Sequence, residues 1–120
     1  MPSIVKKISK FTKREIDYLF KNARRVIRHQ ACTILLAPRQ HDFGRVLIIA
    51  PRKVGNAPQR NLVRRRIKAI FYEEKLFERA FDCVVILYKK AVDLPFDQLK
   101  DLLLTAYHKG SQEHEAPVSE

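Results

Sequence analysis

Residues 52–68, RKVGNAPQRNLVRRRIK, carry seven cationic side chains and no carboxylate. Crowded like charges with no partner in the chain raise the energy of the compact state, so the counter-charge is expected outside it. A solvated helix face would interleave Glu with Lys or Arg at i, i+4; here the first carboxylate after the run is Glu73. Arginine outnumbers lysine, and the planar guanidinium fork matches phosphate oxygens well. The chemistry offered is phosphate binding. Catalytic chemistry has no comparable signal. Cys32 and Cys83 lie far apart inside apolar runs, without the close pairs of a zinc site, and are expected to be buried free thiols. His29, His41, His108 and His114 show no ligand spacing, and the carboxylates are scattered. A self-sufficient metal-dependent nuclease would need them clustered to hold metal ions and activate water.

The elements that must position these cations follow from periodicity and caps. Thr12 and Glu15 form a capping box for a helix, with Phe11 placed to staple onto Ile16. Ile16, Leu19, Phe20 and Ala23 then make one apolar face. ACTILLA (31–37) and RVLIIAP (45–51) read as strands, and the short connection suggests a hairpin between them. Asn56 caps a helix whose first turn holds Pro58. At about 100° per residue, Val63, Ile67, Ile70 and Phe71 share one side of it, while Asn61, Arg64, Arg65 and Lys68 gather on the other. FDCVVILY (81–88) is a third strand, and 94–109 a last helix with Phe96, Leu99, Leu102, Leu103 and Tyr107 on one face. The order is α-β-β-α-β-α: an α+β sandwich, helices on one face of a sheet, with the basic helix crossing between two strands that can pair in parallel. Residues 1–109 are expected to be one domain and 110–120 a disordered acidic tail.

Composition narrows the partner. The chain has 120 residues, a formal net charge of +11 and 46% hydrophobic residues, the profile of a folded basic protein and not of a disordered basic tail. Residues 6–28 add nine cations, whereas the last eight residues hold three Glu and no Lys or Arg. An anionic polymer would meet the first two blocks and avoid the tail. No stretch is apolar enough to cross a bilayer, and the basic start is followed by no apolar core with a cleavage site, so a cytoplasmic location is expected. No recognition-helix pair or zinc module is visible for reading duplex sequence. A broad basic surface beside a sheet suits RNA shape and single strands. Phe20, at the inner edge of the first helix, offers either a stacking surface or a core side chain.

Residues 52–71 resemble the protein component of bacterial ribonuclease P. The family run K-K-x-G-N-A-x-x-R-N-x-x-K-R-x-x-R-x-x-F is filled by Arg52, Lys53, Gly55, Asn56, Ala57, Arg60, Asn61, Arg64, Arg65, Lys68 and Phe71, with Arg and Lys exchanged at three places. The likeness extends over residues 10–109, through Leu19-Phe20 ending the first helix and Arg45-Val46 opening a strand. It implies a left-handed βαβ crossover carrying the basic helix. It also implies a large catalytic RNA as partner and precursor tRNA as substrate, with no obligate protein partner. That RNA would perform the Mg²⁺-dependent hydrolysis freeing the mature tRNA 5′ end, with Mg²⁺ bound mainly by RNA and substrate, so this chain would be a subunit of an endoribonuclease with no catalytic side chain. By the same resemblance, Arg52, Lys53, Asn56, Arg60, Asn61, Arg64, Arg65 and Lys68 face RNA. A cleft holding Ile16, Phe20 and Ile34 takes the 5′ leader of the precursor. Three departures stand out: Leu62 replaces a cation, Ile16 and Ile34 replace aromatics, and Ala50-Pro51 stand where small or hydroxylated residues are common. The alternative is a ribosomal or other structural RNA-binding protein with no nuclease role.

Overall fold

A computed structural model describes residues 6–115. Three helices, α1 (Lys13–Asn22), α2 (Ala57–Glu73) and α3 (Phe96–Glu115), enclose four strands: β1 (Arg24–Arg28), β2 (Cys32–Pro38), β3 (Val46–Ile49) and β4 (Phe81–Leu87). The sheet order is β1-β2-β4-β3. The α+β class expected from the sequence is borne out, including the basic helix that joins two parallel strands: β3 pairs with β4 from Val46↔Cys83 to Ile49↔Ile86.

Four expectations need correction. The expected hairpin of 31–37 with 45–51 does not form, because β4 lies between them, antiparallel to β2 from Cys32↔Leu87 to Pro38↔Phe81. The physical reason is burial: of β4's seven residues only Ile86 is not fully buried, which requires neighbours on both edges, whereas the four-residue β3 can sit at an edge. The hairpin partner of β2 is instead β1, a strand the sequence concealed. RRVIR offers only Val26 and Ile27 to the interior, and its register shifts between Arg25 and Ile27; a charged, bulged strand of this kind suits an edge.

The helices are also not confined to one face. α2 and α3 bury Val63, Ile67, Ile70, Phe71, Leu99, Leu103 and Tyr107 against Ile34, Leu36, Cys83 and Val85. On the opposite face, α1 packs Leu19 against Ala37 and Val84, flanked by Phe11, Ala23, Leu35, Leu47, Ile49 and Ile86. Finally, α3 runs on to Glu115, so residues 110–115 are helical where a tail was expected; residues 116–120 lie outside the described residues. Gly110 serves close packing: a Cβ there would collide with Leu36 Cδ1. Cys32 and Cys83 are free and buried, and burial pushes the Cys32 thiol up to about 11 and Cys83 higher still.

Candidate RNA-binding interface

The start of α2 is built by its own sequence. Asn56 Oδ1 accepts from the Gln59 amide at 2.9 Å, and Gln59 Oε1 accepts from the Asn56 amide at 2.9 Å, closing a capping box. Gly55 leaves room for it, since a Cβ there would stand 2.5 Å from Gln59 Oε1. Just upstream, Arg52–Val54 forms a 3-10 turn that buries Val54 and leaves Arg52 and Lys53 exposed.

From that cap the helix separates its two faces as its periodicity requires. Val63, Ile67, Ile70 and Phe71 are at most 1% exposed, while Asn61 and Arg65 are exposed and Arg64, Arg66 and Lys68 half-buried. Among the described residues, the ion pairs to carboxylates involve His41, Arg45 and Lys100 and no cation of 52–68. Asn61 Oδ1 accepts from Arg64 Nη1 at 3.0 Å, which orients that guanidinium while leaving its other donors free. Arg60 differs from its neighbours. Its Nε donates to Gly55 O at 3.1 Å and its Nη1 to Ala50 O at 3.5 Å, so it ties the β3–α2 connection to the helix. Leu62 is 38% exposed beside this surface. Arg64 and Lys68 reach the β3 edge, where with Ser9, Val46, Leu47 and Ile48 they line a cavity of ≈160 Å³.

The cleft residues are only partly brought together. Ile16 is half-buried on α1 and Phe20 is 44% exposed. Ile34 is a correction: it is fully buried in the core shared with α2 and α3, and its neighbour Leu35 faces α1. Both faces of β2 are apolar, so the sequence held no parity signal to say which residues face which helix. The α1 face of the sheet comprises Leu35, Leu47, Ile49, Val84 and Ile86, extended by Thr33, which pairs with Ile86, and by Tyr88. Sequence reasoning missed all of these except as strand members.

A buried charge network fixes α1 to this face, and it too was missed. Arg45, 2% exposed, donates from Nη1 to Lys10 O and Glu15 Oε1, each at 2.8 Å, and lies 4.2 Å over the Phe11 ring. Its amide donates to Asp82 Oδ1 at 2.9 Å. Glu15 is drawn down from its ordinary 4.5 to about 2, first by the Thr12 amide and then by Arg45. Burial pushes the Asp82 carboxyl up, against the opposing pull of the Arg45 amide and charge. An apolar residue at position 45 would keep the backbone bond to Asp82 but would leave Glu15 without its buried cationic partner and remove the guanidinium 3.8 Å from Asp82 Oδ2.

The arrangement is therefore a cationic helix face, an adjoining cationic turn and an apolar cleft. The family model for ribonuclease P matches residues 6–110. The chain belongs to the ribonuclease P protein family. The ribonuclease P protein component of Halalkalibacterium halodurans is 33% identical over 90 residues, covering 74% of this chain and 76% of that one. That of Bacillus velezensis is 32% identical over 109 residues, covering 89% and 93%. The RNase P protein from Thermotoga maritima superposes with a TM-score of 0.66 at 26% identity, over 80% of this chain and 91% of that one. The Staphylococcus aureus RNase P protein reaches 0.70 over 82% and 91%, at 22% identity, a likeness of fold. The resemblance read from residues 52–71 is thus borne out, and membership in the ribonuclease P family makes the chain a component of a ribonucleoprotein endoribonuclease of tRNA processing. Among the described residues no helix is long and apolar enough to cross a membrane.

Proposed function

We propose that this chain is the RNA-binding, non-catalytic subunit of ribonuclease P. In this reading Arg52, Lys53, Asn56, Asn61, Arg64, Arg65 and Lys68 contact the catalytic RNA, and the cleft beside α1 holds the 5′ leader of precursor tRNA. The carrying observation is the run of cations on the turn and α2 without a carboxylate partner among the described residues, next to an apolar, aromatic-edged sheet face. Phosphates neutralise the first; unstacked bases suit the second. Arg60 acts by positioning, since its guanidinium holds the backbone that presents Arg52 and Lys53.

Chemistry falls to the RNA partner. Among the described residues no three His, Cys, Asp or Glu side chains converge as metal ligands, so these residues do not fit a resident catalytic metal. Mg²⁺ is assigned to the RNA subunit and substrate, where phosphate oxygens are its natural ligands. The chain contributes positive potential that lets the RNA–substrate complex form with less Mg²⁺.

Reconstitution tests this. Protein alone should leave precursor tRNA intact, and protein added to the RNA subunit should lower the Mg²⁺ needed for cleavage at the mature 5′ end. Single-site cleavage there by RNA-free protein would overturn the assignment.

A further inference from the structure

We infer that Tyr88, held by Thr33, forms a base-stacking subsite on the sheet side of the cleft. The inference rests on the reading that the leader occupies this cleft. Tyr88 directly follows β4 in extended conformation, and its amide donates to Ala31 O at 3.0 Å, so the strand alternation continues through it. Asp82, Val84, Ile86 and Tyr88 therefore share one face of the sheet. Val84 and Ile86 belong to the cluster beneath α1, which assigns that face. Thr33 confirms the side: it pairs with Ile86, and its Oγ1 lies 2.7 Å from Tyr88 Oη.

Two features suit this ring to a nucleobase. Tyr88 is 40% exposed, although the strand leading to it is almost wholly buried. Thr33, only 7% exposed, restrains the ring through its hydroxyl, so little side-chain freedom remains to be lost on stacking. The surroundings supply the backbone half of a nucleotide site. Lys89 and Lys90 follow at once in a 3-10 turn that lies against the Arg52–Val54 turn, and all four cations, Arg52, Lys53, Lys89 and Lys90, are exposed. A base on Tyr88 would thus have phosphate-binding groups at the next two positions of the chain. Phe20 provides an exposed ring on α1; Tyr88 provides one on the sheet, where Leu35 offers no aromatic. The ligand is a single-stranded nucleotide, bound through its π-face without base-edge readout.

The test uses holoenzyme reconstituted with the RNA subunit, and compares affinities for mature tRNA and for precursors with progressively longer leaders. Tyr88→Ala should weaken precursor binding by about 5- to 150-fold, the equivalent of one base–aromatic stack, once the leader is long enough to reach the ring, and leave mature tRNA unchanged. Tyr88→Phe should retain most of the affinity. Leader-specific loss in Phe20→Ala but not in Tyr88→Ala would remove this subsite and leave the cleft reading intact; leader-specific loss in neither would overturn both. The unaltered protein provides a readout that does not depend on a variant folding. A thiouridine-substituted leader should photo-crosslink to the peptide containing Tyr88, and crosslinks confined to other peptides would contradict the proposal.

Discussion

Arg45 Nη1 and Glu15 Oε1 lie 2.8 Å apart, a guanidinium 2% exposed joined to a carboxylate that also closes the capping box of α1. One ion pair thus fixes where α1 starts and how it sits on the sheet, and so the width of the cleft behind it.

Because Glu15 titrates near 2 when folded, below its ordinary 4.5, its contribution is complete above pH 4.5 and is lost as pH falls toward 2. Glu15→Gln can keep the capping box but not the ion pair. It should cost about 1 kcal/mol at pH 7. Urea unfolding should show that difference shrinking between pH 4.5 and 2; a constant difference across that window would mean the charge of Glu15 contributes nothing.

Arg60→Lys keeps the charge and loses the fork that bonds Gly55 O and Ala50 O. A positioning role requires a stability loss of about 1 kcal/mol, read as a lower Tm, with the salt dependence of RNA binding unchanged. A lower salt slope at unchanged Tm would return Arg60 to direct phosphate contact.

Phe20→Ala separates two roles for α1. With 44% of the residue exposed, truncation should cost well below the ~3 to 5 kcal/mol of a core phenylalanine, and it should lower the ratio of precursor to mature tRNA affinity. Equal loss for both RNAs with a strongly reduced Tm would make Phe20 a packing residue only.

How much of this was legible in the sequence depended on whether a residue's signal was local. The capping box at Thr12, the cap at Asn56 and the two faces of α2 follow from spacing within one turn or helix, and the structure reproduces them. The side of the sheet on which Ile34 lies does not, because β2 is apolar in both parities and only its helix neighbours distinguish them. The β1 strand was hidden by its three arginines, and the insertion of β4 between β2 and β3 depended on comparing strands distant in sequence. Tyr88 and the Arg45–Asp82 pair escaped for the same reason: each acquires its role from a partner at least 37 residues away.

The most direct test that α2's cationic face is the RNA interface is the salt dependence of binding to the RNA subunit, measured for wild type and for Arg64→Ala/Arg65→Ala/Lys68→Ala. These side chains lie outside the buried face formed by Val63, Ile67, Ile70 and Phe71, so the triple variant should fold, as circular dichroism would verify. Every phosphate that the variant no longer neutralises takes roughly 0.7 to 0.9 off the slope of log K against log salt. The expected result is weaker binding with a slope shallower by about 2 to 3; an unchanged slope in the folded variant would show that this face meets only solvent.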